Sequence, residues 1–175
     1  MLEKDKRNLV VSFTVIELIM VIAIIGILAI TAIPRFKVHS QIKVEGGAKK
    51  LASDIKYVQT AAISGHIDVR IVFDIVNDNY RVEYYDFNSS SWRPLQDPFT
   101  RGDMGMDFQT DYQYGGIEIS EVDFEGTHTL RFNWRGTPQS SGGSDLSSPG
   151  TVILTYKGES VVIEVTPQTG KVSIY

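Results

Sequence analysis

The sequence predicts an α+β fold in which one long N-terminal helix packs on an antiparallel β-sheet head. Three observations predict it. An unbroken apolar run occupies Phe13 to Ile33. A stripe of apolar residues at three- and four-residue spacing follows, up to Gly65. Beyond Gly65 the apolar period switches from 3.6 to 2, the strand period, and stays there to the C-terminus. The domain plan follows: residues 1–12 ahead of the apolar run, 13–36 as an apolar helix half, and 37–175 as an amphipathic helix half plus a β-rich head.

Bulk composition excludes several classes. The 175 residues are enough for one head with a real core plus a membrane segment. Charged residues are 22%, so the chain is expected to fold rather than stay disordered. The formal net charge of −4 gives no general affinity for nucleic acid or anionic lipid. There is no cysteine, which excludes a disulfide framework, a thiolate metal site and a thiol nucleophile.

The run from Phe13 to Ile33 is 21 residues with a single charge, Glu17. At about 1.5 Å per residue it matches the roughly 30 Å hydrocarbon core of a bilayer. Lys4, Lys6 and Arg7 precede it and favour a cytoplasmic N-terminus, with the head across the membrane. A cleaved secretory signal is disfavoured, because the run is long and no small-x-small site follows it before Pro34. A buried core helix does not explain so long an apolar stretch. A plain signal anchor explains the length but not Glu17. A carboxylate in hydrocarbon costs a few kcal/mol and marks function. Glu17 lies one helical turn after Phe13. A cut before Phe13 would create an amine about 6 Å away along the axis, and the two charges can neutralise one another.

Ser12-Phe13-Thr14-Val15-Ile16-Glu17-Leu18 resembles the prepilin peptidase motif of type IV pilins and type II secretion pseudopilins. The resemblance implies a leader peptide of residues 1–12, cleavage between Ser12 and Phe13, methylation of the new Phe13 amine, and a role for Glu17 in assembly. Pro34 also stands where that family commonly has a proline. Two residues depart from the pattern: Ser12 replaces the usual glycine and Val15 the usual leucine.

After Pro34, which is expected to kink the helix, Ala48, Leu51, Ile55, Val58 and Ala62 form one apolar face. Lys49, Lys50 and Lys56 fall on the opposite, polar face, free for solvent or neighbouring subunits. Gly46-Gly47 reads as a bend or melted turn, and Gly65 as the helix end. Val69 to Ile75 and Tyr80 to Tyr84 alternate around the turn residues Asn77-Asp78-Asn79, a hairpin. Asn88 to Gly116 is polar and reads as a long loop. Strand patterns return at Ile117–Phe124 and Thr129–Trp134. Gln139 to Ser148 reads as flexible by composition. Three final strands, Thr151–Tyr156, Ser160–Thr166 and Lys171–Tyr175, complete the sheet.

This head resembles the GspH/FimT family of minor pseudopilins and minor pilins. The matching residues are Leu51 to Ile55 through Ile63, Val69 to Phe73, Tyr80 to Val82, Leu130-Arg131-Phe132 before Gly136, and Gly170-Lys171-Val172. The resemblance implies a structural subunit that joins or initiates a type II secretion pseudopilus or type IV pilus-like filament. Its partners would be other pilin subunits, the prepilin peptidase and an inner-membrane assembly platform. Its place would be the bacterial inner membrane, with a single pass and an extracytoplasmic head.

No enzyme is expected. His39, His66 and His128 are scattered without metal-ligand spacing. Neither a nucleophile elbow nor a phosphate-binding loop occurs. Asp97, Asp103, Asp107 and Asp111 crowd one loop. Some pseudopilins resembling this chain bind calcium, but the ordered pattern of a calcium loop is absent, so a solvated acidic loop is the expectation and calcium the alternative. The alternative function is a filament-borne or membrane-tethered module that captures DNA, as some FimT-like pilins do. Lys157 and Lys171 are offset by Glu159 and Glu164 at the end where such pilins are basic, so nucleic acid is not the expected partner.

Overall fold

The structure is a computed structural model and describes residues 14–175, the side chains of residues 30–38 excepted. The chain divides into two units, one ending at Val38 and the other spanning His39–Tyr175. Helix α1 (Val15–Gly65) contributes to both.

In the second unit, α1 runs as helix through Gly46-Gly47. The bend or melted turn expected there is corrected. A Cβ on Gly47 would lie 2.6 Å from Ile117 Cδ1, and one on Gly46 would lie 3.1 Å from the Tyr114 ring. The glycines let the helix approach the head closely and do not break it. Ala48, Leu51, Ile55, Val58 and Ala62 are all fully buried, as the stripe predicts, and Val44 extends the buried face by one turn. α1 ends at Gly65, and His66 takes a left-handed conformation with φ 51°.

Ten strands follow. The first sheet has the order β3 (Ser91–Pro94), β2 (Asn79–Asp86), β1 (Val69–Asp74), β6 (Thr129–Phe132), β7 (Pro138–Gln139), and β4 (Gly105–Asp107) also pairs with β2. The second has the order β10 (Val172–Ile174), β9 (Glu159–Val165), β8 (Gly150–Tyr156), β5 (Glu118–Asp123). Every pairing is antiparallel. The head thus has two sheets where the sequence reading gave one. Alternation places Ile71, Leu130 and Phe132 of the first sheet, and Leu154, Ile163 and Val165 of the second, in one core with the α1 stripe. The β8–β9 connection is the two-residue turn Lys157-Gly158 with φ 49° and 85°, which suits the right-handed twist of its strands.

Two segments read as loops are more ordered than their composition suggests. Residues 88–116 contain β3 and β4, and Phe108 is fully buried. Residues 139–148 are tied by Ser140 N–H to Ser144 O and by Gln139 Nε2 to Asp145, and they bury Leu146. The flexible reading of that stretch is corrected: one apolar anchor and local hydrogen bonds hold it.

Candidate assembly site

The first described turn of α1 carries the predicted carboxylate. Thr14 caps the helix: its Oγ1 accepts the Glu17 N–H at 3.3 Å, and its carbonyl accepts the Leu18 N–H. Thr14-x-x-Glu17 is the spacing of a capping box, a signal readable in the sequence that the pilin-like motif overshadowed. Glu17 therefore also sits at the positive end of the helix dipole, where a carboxylate is favoured.

Around and beyond Glu17 the helix exposes apolar side chains on every side. Val15, Ile16, Leu18, Ile19, Met20, Val21, Ile22, Ile24, Ile25, Ile27 and Leu28 are between 42% and 77% exposed. A helix apolar all round belongs inside lipid or among other helices. The apolar run is described with side chains only as far as Ala29, and among the described residues no helix is long and apolar enough to cross a membrane. Ser12 and Phe13 lie outside the described residues, and so does the side chain of Pro34, where a kink is expected.

In the head, α1 is locked to the sheets by polar contacts as well as by the stripe. Asp54, buried within the helix face, accepts from the Tyr80 hydroxyl at 2.6 Å and from Lys50 Nζ at 2.6 Å. Burial, and then the Asp54 carboxylate, push the Tyr80 phenol well above its usual range, so it stays a donor. Lys50 is thus a structural partner rather than a free surface cation, a correction to the reading of the polar face. Lys43 Nζ donates to the Gly115 carbonyl at 2.6 Å, and Gln59 Nε2 donates to the carbonyls of Gly136 and Thr169 at 2.8 Å. Sequence periodicity could not show the links of Asp54, Lys43 and Gln59 to Tyr80, Gly115, Gly136 and Thr169, because each joins residues far apart in the chain, whereas Lys50 and Asp54 are an i,i+4 pair on one helix.

Three of the four aspartates considered for calcium engage their carboxylates separately. Asp97 accepts from the N–H groups of Phe99 and Thr100, Asp107 from Gln109 and Thr110, and Asp111 from Gln113 and Tyr114. Asp103 forms a backbone bridge with Gln96. The carboxylates of Asp97, Asp107 and Asp111 thus close turns. Among the described residues, no group of three acidic, histidine or cysteine side chains is placed to hold a metal.

Residues 47–169 match the family described as type II transport protein GspH. The chain belongs to the GspH family. The match begins at Gly47 and ends at Thr169, so it covers the head and not the exposed half of α1. GspH-type folds recur in solved structures. The minor pseudopilin EpsH from the type 2 secretion system of Vibrio cholerae aligns in two structures. They are 12% and 10% identical with TM-scores of 0.55 and 0.57, and cover 76% and 77% of this chain and 96% and 97% of EpsH. The type IV minor pilin FimU of Pseudomonas aeruginosa aligns at 14% identity and a TM-score of 0.50, covering 75% of this chain and 87% of FimU. A search of curated protein sequences finds no significant match. The similar structures are a pseudopilin and a pilin, not enzymes, and they establish the helix-on-antiparallel-sheet fold.

Proposed function

We propose that this GspH-family chain is a minor pseudopilin-type subunit that joins or initiates a type II secretion pseudopilus or type IV pilus-like filament. The observation that carries the reading is the helix from Val15 to Leu28, apolar on all sides and exposed, attached to a head that buries its own stripe. Such a surface is stored in lipid as a single pass of the inner membrane and then packed against other subunits. Residues 1–12 form the leader on the cytoplasmic side, and the head lies on the far side. The prepilin peptidase cuts between Ser12 and Phe13, and the Phe13 amine is methylated. Glu17 neutralises that amine, on its own or a neighbouring subunit, as the subunit moves from lipid into the filament on the assembly platform.

Two measurements test this. The intact mass of membrane-extracted protein is expected to lack residues 1–12; a mass that retains them in cells with active peptidase defeats the processing step. Glu17→Gln keeps shape and removes charge. It is expected to leave membrane insertion and head folding intact while its share in sheared filaments falls. Equal incorporation of Glu17→Gln and wild type sinks the pairing mechanism.

A further inference from the structure

The turn between β2 and β3 holds side chains that the fold does not use. Residues 87–90 join the two strands, and Phe87, Asn88, Ser89 and Ser90 are all exposed. Asp86 closes the turn. It accepts the Asn88 N–H at 3.0 Å and the Ser89 hydroxyl at 2.8 Å, and it pairs with Arg93 at 3.0 Å. The Ser89 hydroxyl, then the Asn88 N–H, hold its carboxyl below the usual range, so it is charged at neutral pH. The Asn88 side-chain amide and the Ser90 hydroxyl make no hydrogen bond among the described residues. Ser90 also stands at φ 49°, where glycine or asparagine is the usual choice. Turn chemistry therefore accounts for Asp86 and Ser89, and it does not account for the Asn88 amide or for a serine at 90.

The spacing of these two residues is that of a sugar acceptor. Asn-x-Ser, with x not proline, is the pattern on which oligosaccharide is N-linked in chains carried across a membrane. Here it reads Asn88-Ser89-Ser90. No other asparagine has it: Asn8, Asn77, Asn79 and Asn133 are followed two residues on by Val10, Asn79, Arg81 and Arg135. Asp86 adds a carboxylate two residues before Asn88, a charge by which a cationic peptide groove of a transferase can grip the chain. It is released for that role when the turn opens. Opening is local, because β3 is a four-residue strand at the edge of the first sheet and none of its residues is fully buried. Phe87, next to the acceptor, is 64% exposed, an apolar cost that the C–H face of a first sugar on Asn88 would relieve.

We propose that Asn88, in the exposed turn between β2 and β3, is an N-glycosylation site of this protein. The inference rests on the filament reading above, which sets the head on the far side of the inner membrane. The donor class is an oligosaccharide linked to a polyprenyl diphosphate. A bond forms between the sugar C1 and Asn88 Nδ2. The bond from C1 to the diphosphate oxygen breaks, and its electron pair leaves with the diphosphate. The Nδ2 proton passes to a base of the transferase. Nothing is oxidised or reduced. The glycan stands at the β3 end of the first sheet, where no core residue has to move to admit it. Linkage through oxygen fits less well, since the Ser89 hydroxyl is engaged by Asp86 and by Ser91.

The test takes the full-length chain from the cells that make it and reads the mass of the proteolytic peptide that contains Asn88. The expected peptide carries the added mass of an oligosaccharide, and its fragments place the first sugar on Asn88. Asn88→Gln keeps an exposed amide, and Ser90→Ala removes a hydroxyl that makes no observed hydrogen bond. Each is expected to lose the added mass entirely. Asp86→Asn keeps an oxygen acceptor for the turn and is expected to lose most of it. Protease resistance of the head shows that each variant folds. A bare Asn88, a sugar found on a serine instead, or an added mass undiminished in any of the three variants overturns the proposal. Access of external protease to the head in spheroplasts is read in parallel. If the head is reached and Asn88 is bare, the glycosylation site fails alone; if the head is not reached, the topology of the filament reading fails.

Discussion

One helix, α1, presents two surfaces of opposite kinds. From Val15 to Leu28 it is apolar on every side and exposed. From Val44 to Ala62 it is apolar on one stripe, and that stripe is fully buried. Apolar content alone does not separate a core face from an assembly face; its distribution around the axis does. A stripe is satisfied by one sheet-built core, whereas an apolar cylinder needs neighbours on all sides, which only lipid or other helices supply. The head is thus complete by itself, and the first half of α1 is not.

The largest effect expected to sharpen this contrast comes from truncating the stripe. Leu51→Ala or Ile55→Ala empties a fully buried site and is expected to cost about 2–5 kcal/mol, read from the denaturant midpoint of the head. Ile19→Ala or Ile25→Ala, both more than half exposed, should leave that midpoint where it is. Equal shifts at the two places would erase the distinction between the halves.

A smaller effect is expected at the polar pin inside the stripe. Tyr80→Phe keeps the ring among its aromatic neighbours and removes the hydroxyl that Asp54 accepts. A hydrogen bond to a charged acceptor contributes roughly 1.5–3 kcal/mol, and Asp54 keeps Lys50 as a partner, so the lower end is expected. An unchanged midpoint would mean that the stripe alone seats the helix.

Much of this was legible in the sequence because each half of α1 repeats one simple rule many times. The stripe, the end at Gly65, the hairpin around Asn77 and the last three strands follow from period and turn chemistry. What was missed depends on single residues acting at long range. Phe108, Met104 and Leu146 are isolated apolar residues in polar stretches, yet each is buried and converts an apparent loop into part of the head. Gly46-Gly47 carries the same local signal as a break, and only the approach of Tyr114 and Ile117 shows it to be a contact. At the candidate site the apolar run around Glu17 singles it out in the sequence, whereas Thr14, which caps the same turn, carries only the weaker capping-box spacing.

Glycines in the two halves give a third contrast. Gly47→Ala sets a methyl 2.6 Å from Ile117 Cδ1, within reach of Phe108 and Leu154. Overpacking of about 1–3 kcal/mol is offset by about 1 kcal/mol of helix propensity, so a modest net destabilisation of the head is expected. A Cβ at Gly26 meets nothing within 4 Å. Gly26→Ala should leave the head midpoint alone and raise helicity in detergent, measured by circular dichroism. A stabilised Gly47→Ala head would show that Ile117 gives way and that the approach is not tight.

The smallest effect concerns pH, and it separates the exposed turns of the head from its buried seam. Asp97 is held below the usual 3.8 by backbone hydrogen bonds from Thr100 and Phe99, and Asp107 by hydrogen bonds from the Thr110 side chain and the Gln109 backbone. A carboxyl whose folded pKa is depressed stabilises the fold above its unfolded value and loses that contribution as pH falls through the folded one. The contribution of each turn is therefore complete at neutral pH and fades below about pH 4. Asp97→Asn and Asp107→Asn keep an oxygen acceptor for the turn but cannot titrate. Each variant should be slightly less stable than wild type at pH 7, and the gap should narrow at pH 3. The stripe variant Leu51→Ala should show a gap to wild type that does not depend on pH, because no proton is bound or released there. Denaturant midpoints at the two pH values measure both. If the aspartate gaps stay constant, the turns do not draw on carboxylate charge. If the Leu51→Ala gap also narrows, acid loosens the core itself, and the separation between turns and seam is lost.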